Sequence, residues 1–135
     1  MDYAALKTLI DSDPANAGRT DEEVLSWCNT PSVTRDQETL ASSLIFEICT
    51  SDDNVSEWQA LSADDRQLVR DILTVYAPEG VPTEAGSSAR SRLVAILGTS
   101  TKQDIAAAIP ETVSPAVDAG LGVVNLGDVQ NARAL

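Results

Sequence analysis

The chain has 135 residues, a formal net charge of −12 and no histidine, and 43% of its residues are hydrophobic. This length suits one domain with a hydrophobic core. We expect neither a nucleic-acid nor a membrane partner, because binding DNA or anionic lipid requires Lys and Arg to displace counterions. The lack of histidine removes the commonest general base and the commonest metal ligand.

The charge is distributed unevenly along the chain. Residues 1–80 hold 16 acids and five bases, whereas residues 81–135 hold five acids and four bases. The strongest internal break, 78–82, contains two prolines and a glycine and coincides with this change. We interpret it as a linker within one domain, because the part after it is too short to form a core alone. The sequence thus predicts one domain over 1–135, with an acidic part (1–80) and a nearly neutral part (81–135).

The first quarter of the chain predicts two short helices. Apolar residues at helical spacing over 3–10 indicate the first helix, which Pro14 ends. Thr20 and Glu23 have the spacing of a capping box, so a second helix is predicted to begin there. Its apolar face carries Val24, Trp27 and Cys28.

The middle of the chain continues the helical pattern. We predict a helix opened by Thr34, with Gln37 at the matching capping position and an apolar stripe within 40–49. A short helical segment over 55–61 follows. Ser62 then caps the helix with the clearest stripe, for which the predicted core residues are Leu68, Ile72 and Leu73.

The last third predicts further short helices. One covers 89–97, a second begins at a Thr101 cap and ends at Pro110, and a third begins at Ser114–Pro115. The last helix begins at Asn125 or Gly127. No segment alternates polar and apolar residues long enough to predict a strand. The predicted fold is therefore all-α, a single compact domain of seven or eight short helices in an irregular bundle.

No catalytic, cofactor-binding or metal-binding residue is predicted, and no cofactor is expected. The acid pairs 22–23, 52–53 and 64–65 fit helix starts, where the helix dipole favours negative charge, better than paired-acid hydrolysis. Cys28 and Cys49 lie in apolar patterns, and we favour two buried free thiols over a disulfide. The sequence therefore favours a protein that is not an enzyme.

Two regions supply candidate interface residues. Trp58 lies in a short helix flanked by acids, and an exposed indole there would anchor a protein contact. The segment 113–135 cannot hold its shape alone, because isolated helices shorter than about 12 residues are marginal in water. It must dock on the rest of the domain or on a neighbouring subunit. We expect Leu121, Val124 and Val129 to supply the buried contacts and Arg133 to lie at the rim.

Several stretches are similar to small uncharacterised proteins encoded among the structural genes of tailed bacteriophages, the siphophages and podophages. The stretches are 3–10, 20–29, 31–35 and 113–134, and the segment from about 50 to 98 is similar only in its helical character. The resemblance implies a virion component or an assembly factor made in the host cytoplasm. It implies no activity.

From this resemblance we expect a virion structural or adaptor protein of the tail, fibre-attachment or neck region. Its partners would be other phage structural proteins, including further copies of itself, with no small-molecule substrate. The alternatives are a capsid decoration protein and an assembly chaperone absent from the mature particle. Two less favoured alternatives are a carboxylate-dependent hydrolase and an acidic DNA mimic.

Overall fold

The computed structural model describes residues 1–135 and is mostly helical. The helices are α1 (Tyr3–Asp11), α2 (Asp21–Asn29), α3 (Ser42–Thr50), α4 (Val55–Ala60), α5 (Ala63–Val75), α6 (Ser88–Ile96), α7 (Thr99–Ala108), α8 (Pro115–Asp118) and α9 (Leu126–Arg133). The strands are β1 (Val33–Asp36), β2 (Thr39–Leu40), β3 (Val81–Pro82) and β4 (Pro110–Val113), and a 3₁₀ turn covers Pro14–Gly18. The prediction of a helical protein is confirmed.

The prediction of a purely α-helical fold is wrong, because four short strands form two small sheets. β1 pairs with β4, and β2 pairs with β3 in antiparallel register, with Leu40 opposite Val81. Thr34 lies within β1 and does not open a helix; the helix predicted there begins later, at Ser42. β1 alternates half-buried and exposed residues over only four positions, which is too short to separate strand from helix periodicity.

The chain forms two compact units. Unit 1 comprises residues 1–35 and 112–135, and unit 2 comprises residues 36–111. These boundaries differ from the predicted linker at 78–82. That segment lies inside unit 2, where Gly80 (φ +86°) donates to the Tyr76 carbonyl at 2.7 Å and leads directly into β3. The single-domain interpretation of residues 1–135 stays a prediction.

Unit 1 packs α8 and α9 against α1 and α2. The two segments of the chain contribute equally to its core, which consists of Leu6, Ile10, Val24, Cys28, Ala116, Val124, Val129 and Ala132. The C-terminal segment therefore docks on the rest of the chain, which is one of the two predicted outcomes.

Capping boxes fix the starts of two helices in unit 1. Glu23 N donates to Thr20 Oγ1 at 3.2 Å and Thr20 N donates to Glu23 Oε1 at 3.3 Å, as the sequence predicts. The last helix is capped by Asn125 and not by Gly127, since Asp128 N donates to Asn125 Oδ1 at 2.9 Å. Each box satisfies amides that the first helical turn leaves without partners.

Unit 2 surrounds a separate core. Its buried members are Leu40, Ile45, Cys49, Trp58, Val69, Ile72, Leu73, Val81, Ala89, Leu93 and Leu97. Ile72 and Leu73 are core residues as predicted, but Leu68 is 40% exposed and that prediction is wrong. With about 100° between successive residues of a helix, Leu68 lies about 90° from the centre of the buried face of α5.

We expect Leu73→Ala to lower the free energy of unfolding by about 2–5 kcal/mol, because it empties a buried site. Leu68→Ala on the same helix should cost less than about 1 kcal/mol, because the site is already half in water. Chemical denaturation of both variants measures the difference. Equal losses would contradict this assignment of the buried face.

Candidate functional site

The acidic and sulfur-containing side chains provide no metal-binding cluster, since no group of three or more Cys, Asp and Glu is arranged to hold an ion. Cys28 and Cys49 are free and buried, as predicted. Burial raises the pKa of the Cys28 thiol, and it raises that of Cys49 to about 11. Both thiols are therefore protonated at neutral pH and are poor nucleophiles.

Two of the three acid pairs occupy the predicted positions at helix starts. Glu22 and Glu23 lie in the first turn of α2, and Asp64 and Asp65 lie in the first turn of α5. The pair 52–53 lies in a turn before α4, which begins at Val55. The first two pairs have a structural role that requires no chemistry.

The turn between α8 and α9 presents an apolar side chain to solvent. Gly120 and Gly122 adopt φ values of +77° and +69°, a region in which any residue with a Cβ would be strained. Val123 follows them and is 84% exposed, more than any other large hydrophobic residue of the chain. Its neighbour Val124 is only 2% exposed. The turn thus buries one valine and holds the other in water.

A side-chain amide on α2 fixes this turn. Asn29 Nδ2 donates to the Val124 carbonyl at 2.7 Å, and Val124 N donates to Asn29 Oδ1 at 3.0 Å. The amide therefore satisfies both backbone groups of Val124, as a neighbouring strand would. Because Asn29 belongs to a helix, the position of Val123 is set by the packed part of unit 1.

Polar contacts secure α9 on both sides. The Tyr3 hydroxyl donates to Asp128 Oδ1 at 3.3 Å. Arg133 Nη1 donates to Asp21 Oδ1 at 2.8 Å and to the Arg19 carbonyl at 3.0 Å. Arg133 is half-buried, and its placement at the rim of an interface stays a prediction.

The structure places the five predicted interface residues in different surroundings. Val124 and Val129 are buried within unit 1, and Leu121 is half-buried against the same core. Trp58 is 8% exposed in the core of unit 2. Sequence reasoning missed Val123, although a valine beside two glycines in a short interhelical turn is a signal for an exposed apolar tip.

Aromatic and cationic neighbours enclose Trp58. Phe46 meets its ring edge to face, with centroids 5.7 Å apart and an interplanar angle of 86°. The Arg70 guanidinium carbon lies 5.4 Å from the ring centroid, a cation–π distance. The indole is therefore occupied by contacts within unit 2, which leaves little of it for a partner.

A carboxylate from α4 caps α7 in unit 2. Glu57 Oε1 accepts from Thr101 N at 2.9 Å and from Thr101 Oγ1 at 2.8 Å, and Glu57 Oε2 accepts from Ser100 N at 3.1 Å. Thr101 was predicted to be the cap of this helix, which is wrong: the cap residue is Gly98, which has no side chain. A Cβ at Gly98 would lie 2.5 Å from the Glu57 carboxyl group, so the glycine makes room for the carboxylate.

Comparison with known proteins returns no relative: no family model, curated protein or solved structure matches the chain. None of the helices combines the length and the apolar character needed to cross a membrane. The resemblance to phage structural proteins is untested by these comparisons and stays a prediction.

We expect Asn29→Ala to lower the free energy of unfolding by about 1–3 kcal/mol, because it leaves the backbone groups of Val124 without partners. Asn131→Ala is the matched control, since Asn131 is exposed on α9. Thermal and chemical unfolding compare the two variants. A loss no larger than that of the control would show that the amide does not hold the turn.

The hydrogen bonds to Glu57 also predict a pH dependence. The Thr101 amide and hydroxyl, and then Ser100 and the charge of Lys102, hold the pKa of Glu57 below its ordinary value of 4.5. Ionised Glu57 therefore stabilises the fold fully above pH 4.5, and this contribution is lost as the pH falls through the lowered pKa. The stability difference between wild type and Glu57→Gln should accordingly shrink on acidification.

Unfolding measured at a series of pH values, with an NMR titration of the Glu57 carboxyl group, checks this expectation. Glu47→Gln is the control, because Glu47 is exposed on α3. A Glu57 pKa at or above the ordinary value would contradict the capping role.

Proposed function

We propose that this chain is a non-enzymatic structural or adaptor protein of a tailed bacteriophage virion that acts through protein–protein contacts. The tail, fibre-attachment or neck region is the proposed place. The phage origin is supported by the resemblance to small proteins encoded among the structural genes of tailed bacteriophages, which covers residues 3–10, 20–29, 31–35 and 113–134. The observation that carries the contact role is the exposed Val123, in a turn that hydrogen bonds from Asn29 hold in place.

A single exposed apolar residue is ordinary on a protein surface, so exposure alone is a weak argument. Val123 differs because its backbone is fixed before any partner arrives. Gly120 and Gly122 set the turn with backbone angles in the left-handed region. The Asn29 side-chain amide bonds both the N–H and the carbonyl of Val124, the residue after Val123. When a partner covers Val123, the turn therefore loses little conformational entropy.

The surroundings of Val123 suit a protein contact. Leu121 lies two residues earlier in the same turn and is half-buried against the core of unit 1. Complete burial of one valine side chain contributes about 1.5–3 kcal/mol, so the turn would supply part of an interface and not all of it. Repeated copies in a particle would multiply such a contact.

The proposal predicts that the protein is present in purified particles of the encoding phage at a fixed copy number, as measured by quantitative mass spectrometry. Val123→Asp should lower its incorporation at least tenfold, because a partner would then have to bury a charge. Val75→Asp is the matched control, a valine 73% exposed on α5.

Absence from purified particles would contradict the virion role and favour an assembly chaperone. Incorporation of Val123→Asp at the level of Val75→Asp would contradict the assignment of the turn as the contact. Circular dichroism of both variants verifies that the fold is retained.

A further inference from the structure

Unit 2 contains an apolar cavity of about 70 Å³. Side chains from β2, β3, α3, α6 and α7 line it, and ten of the thirteen lining residues are apolar. Leu93 lies on α6 and Ile105 on α7, and Leu97 and Ile109 directly follow these two helices. An apolar cavity of this kind favours a hydrocarbon group over water, since water needs several polar partners.

The remaining lining residues are Thr83, Arg90 and Lys102. No acid lines the cavity, although the chain has 21 acids and only nine bases. Arg90 Nη1 donates to the Thr83 carbonyl, which leaves other guanidinium N–H groups available. The charge at the cavity is therefore positive, in contrast to the chain as a whole.

The two cations differ in what surrounds them. Arg90 also borders a neighbouring groove that contains Glu38 and Glu84, and these carboxylates oppose an anion on that side. Lys102 also has a carboxylate neighbour, Glu57, on which its charge acts. The groove beside Arg90 holds a third carboxylate as well, that of Asp36, so more negative charge surrounds Arg90. Lys102 is therefore the better placed of the two to receive an anion at the cavity.

We propose that this cavity binds a short aliphatic carboxylate, with its hydrocarbon tail among the apolar side chains and its carboxylate against Lys102. The volume is roughly half of the ~150 Å³ that accommodates benzene, which suits a tail of about three or four carbons. An ammonium is a compact charge that pairs with a carboxylate without strict geometry. The inference is independent of the proposed virion role, and it departs from the expectation of no small-molecule partner.

The test titrates the full chain with 3-methylbutanoate and follows amide shifts in ¹H–¹⁵N spectra. Acetate lacks the tail, and 3-methylbutanamide keeps the tail but lacks the charge. We expect saturable shifts at Leu97 and Ile105 with 3-methylbutanoate, and at least fivefold weaker binding of each of the other two compounds. Equal binding of acid and amide, or no saturable shift with the acid, would overturn the proposal.

Matched variants test the two halves of the site. Ala106→Phe should weaken binding at least fivefold by crowding the mouth of the cavity, whereas Ala107→Phe should not, because both alanines are exposed on α7 but only Ala106 lines the cavity. Lys102→Met should weaken binding of the acid at least fivefold and leave the amide unchanged. Arg92→Met is its control, an exposed cation on α6 that does not line the cavity.

Each pair of variants tests a different part of the proposal. Binding retained in Ala106→Phe would overturn the location of the tail, and binding unchanged in Lys102→Met would overturn the location of the carboxylate. If Ala106→Phe fails to fold by circular dichroism, the Lys102 pair decides the proposal alone. None of these measurements involves phage particles, so their outcome is separate from that of the virion role.

Discussion

Unit 1 depends on one long-range constraint, the return of the C-terminal segment to the N-terminal helices. Its core takes four buried residues from 1–35 and four from 112–135, with all of unit 2 between them in the chain. No helix of unit 1 exceeds nine residues, and helices of that length are marginal in water without a packing partner. Closing so long a loop costs entropy, which the buried apolar contacts must offset. The clamped turn around Val123 exists only when this closure has occurred.

Asparagine side chains join the short helices at their ends. Asn16 Nδ2 donates to the Ile10 carbonyl at 2.9 Å, and Asn54 Nδ2 donates to the Ile48 carbonyl at 3.0 Å, in both cases six residues back at the end of a helix. Both asparagines are at most 1% exposed. The last carbonyls of a helix lack intrahelical partners, and a side-chain amide can supply a donor where water is excluded. Asn29 performs the same function for an extended residue, Val124. The buried carbonyl groups at the ends of short helices are satisfied in this way.

Local patterns were readable from the sequence, and long-range ones were not. The Thr20–Glu23 capping box and the stripe of α5 follow from spacing alone, and the box and the core positions Ile72 and Leu73 are confirmed. The short strands were missed because two to four residues are too few to show a period of two. Leu68 lies at the edge of a stripe, where only the packing partners decide its exposure. The cavity beside Lys102 was unpredictable for a similar reason, since two stretches that are distant in the chain, 40–45 and 81–109, must meet to form it.

The acidity of the chain follows in part from its many helix starts. Each start leaves amides without partners and carries a partial positive charge, which a nearby carboxylate stabilises. Asp2 caps α1, Asp13 caps the 3₁₀ turn, Asp128 completes the box of α9, and Glu57 caps α7 from another helix. A protein built from short helices has more such starts per residue than one built from long helices. The positions of these four acids therefore follow from helix geometry, and no further function is needed to explain them.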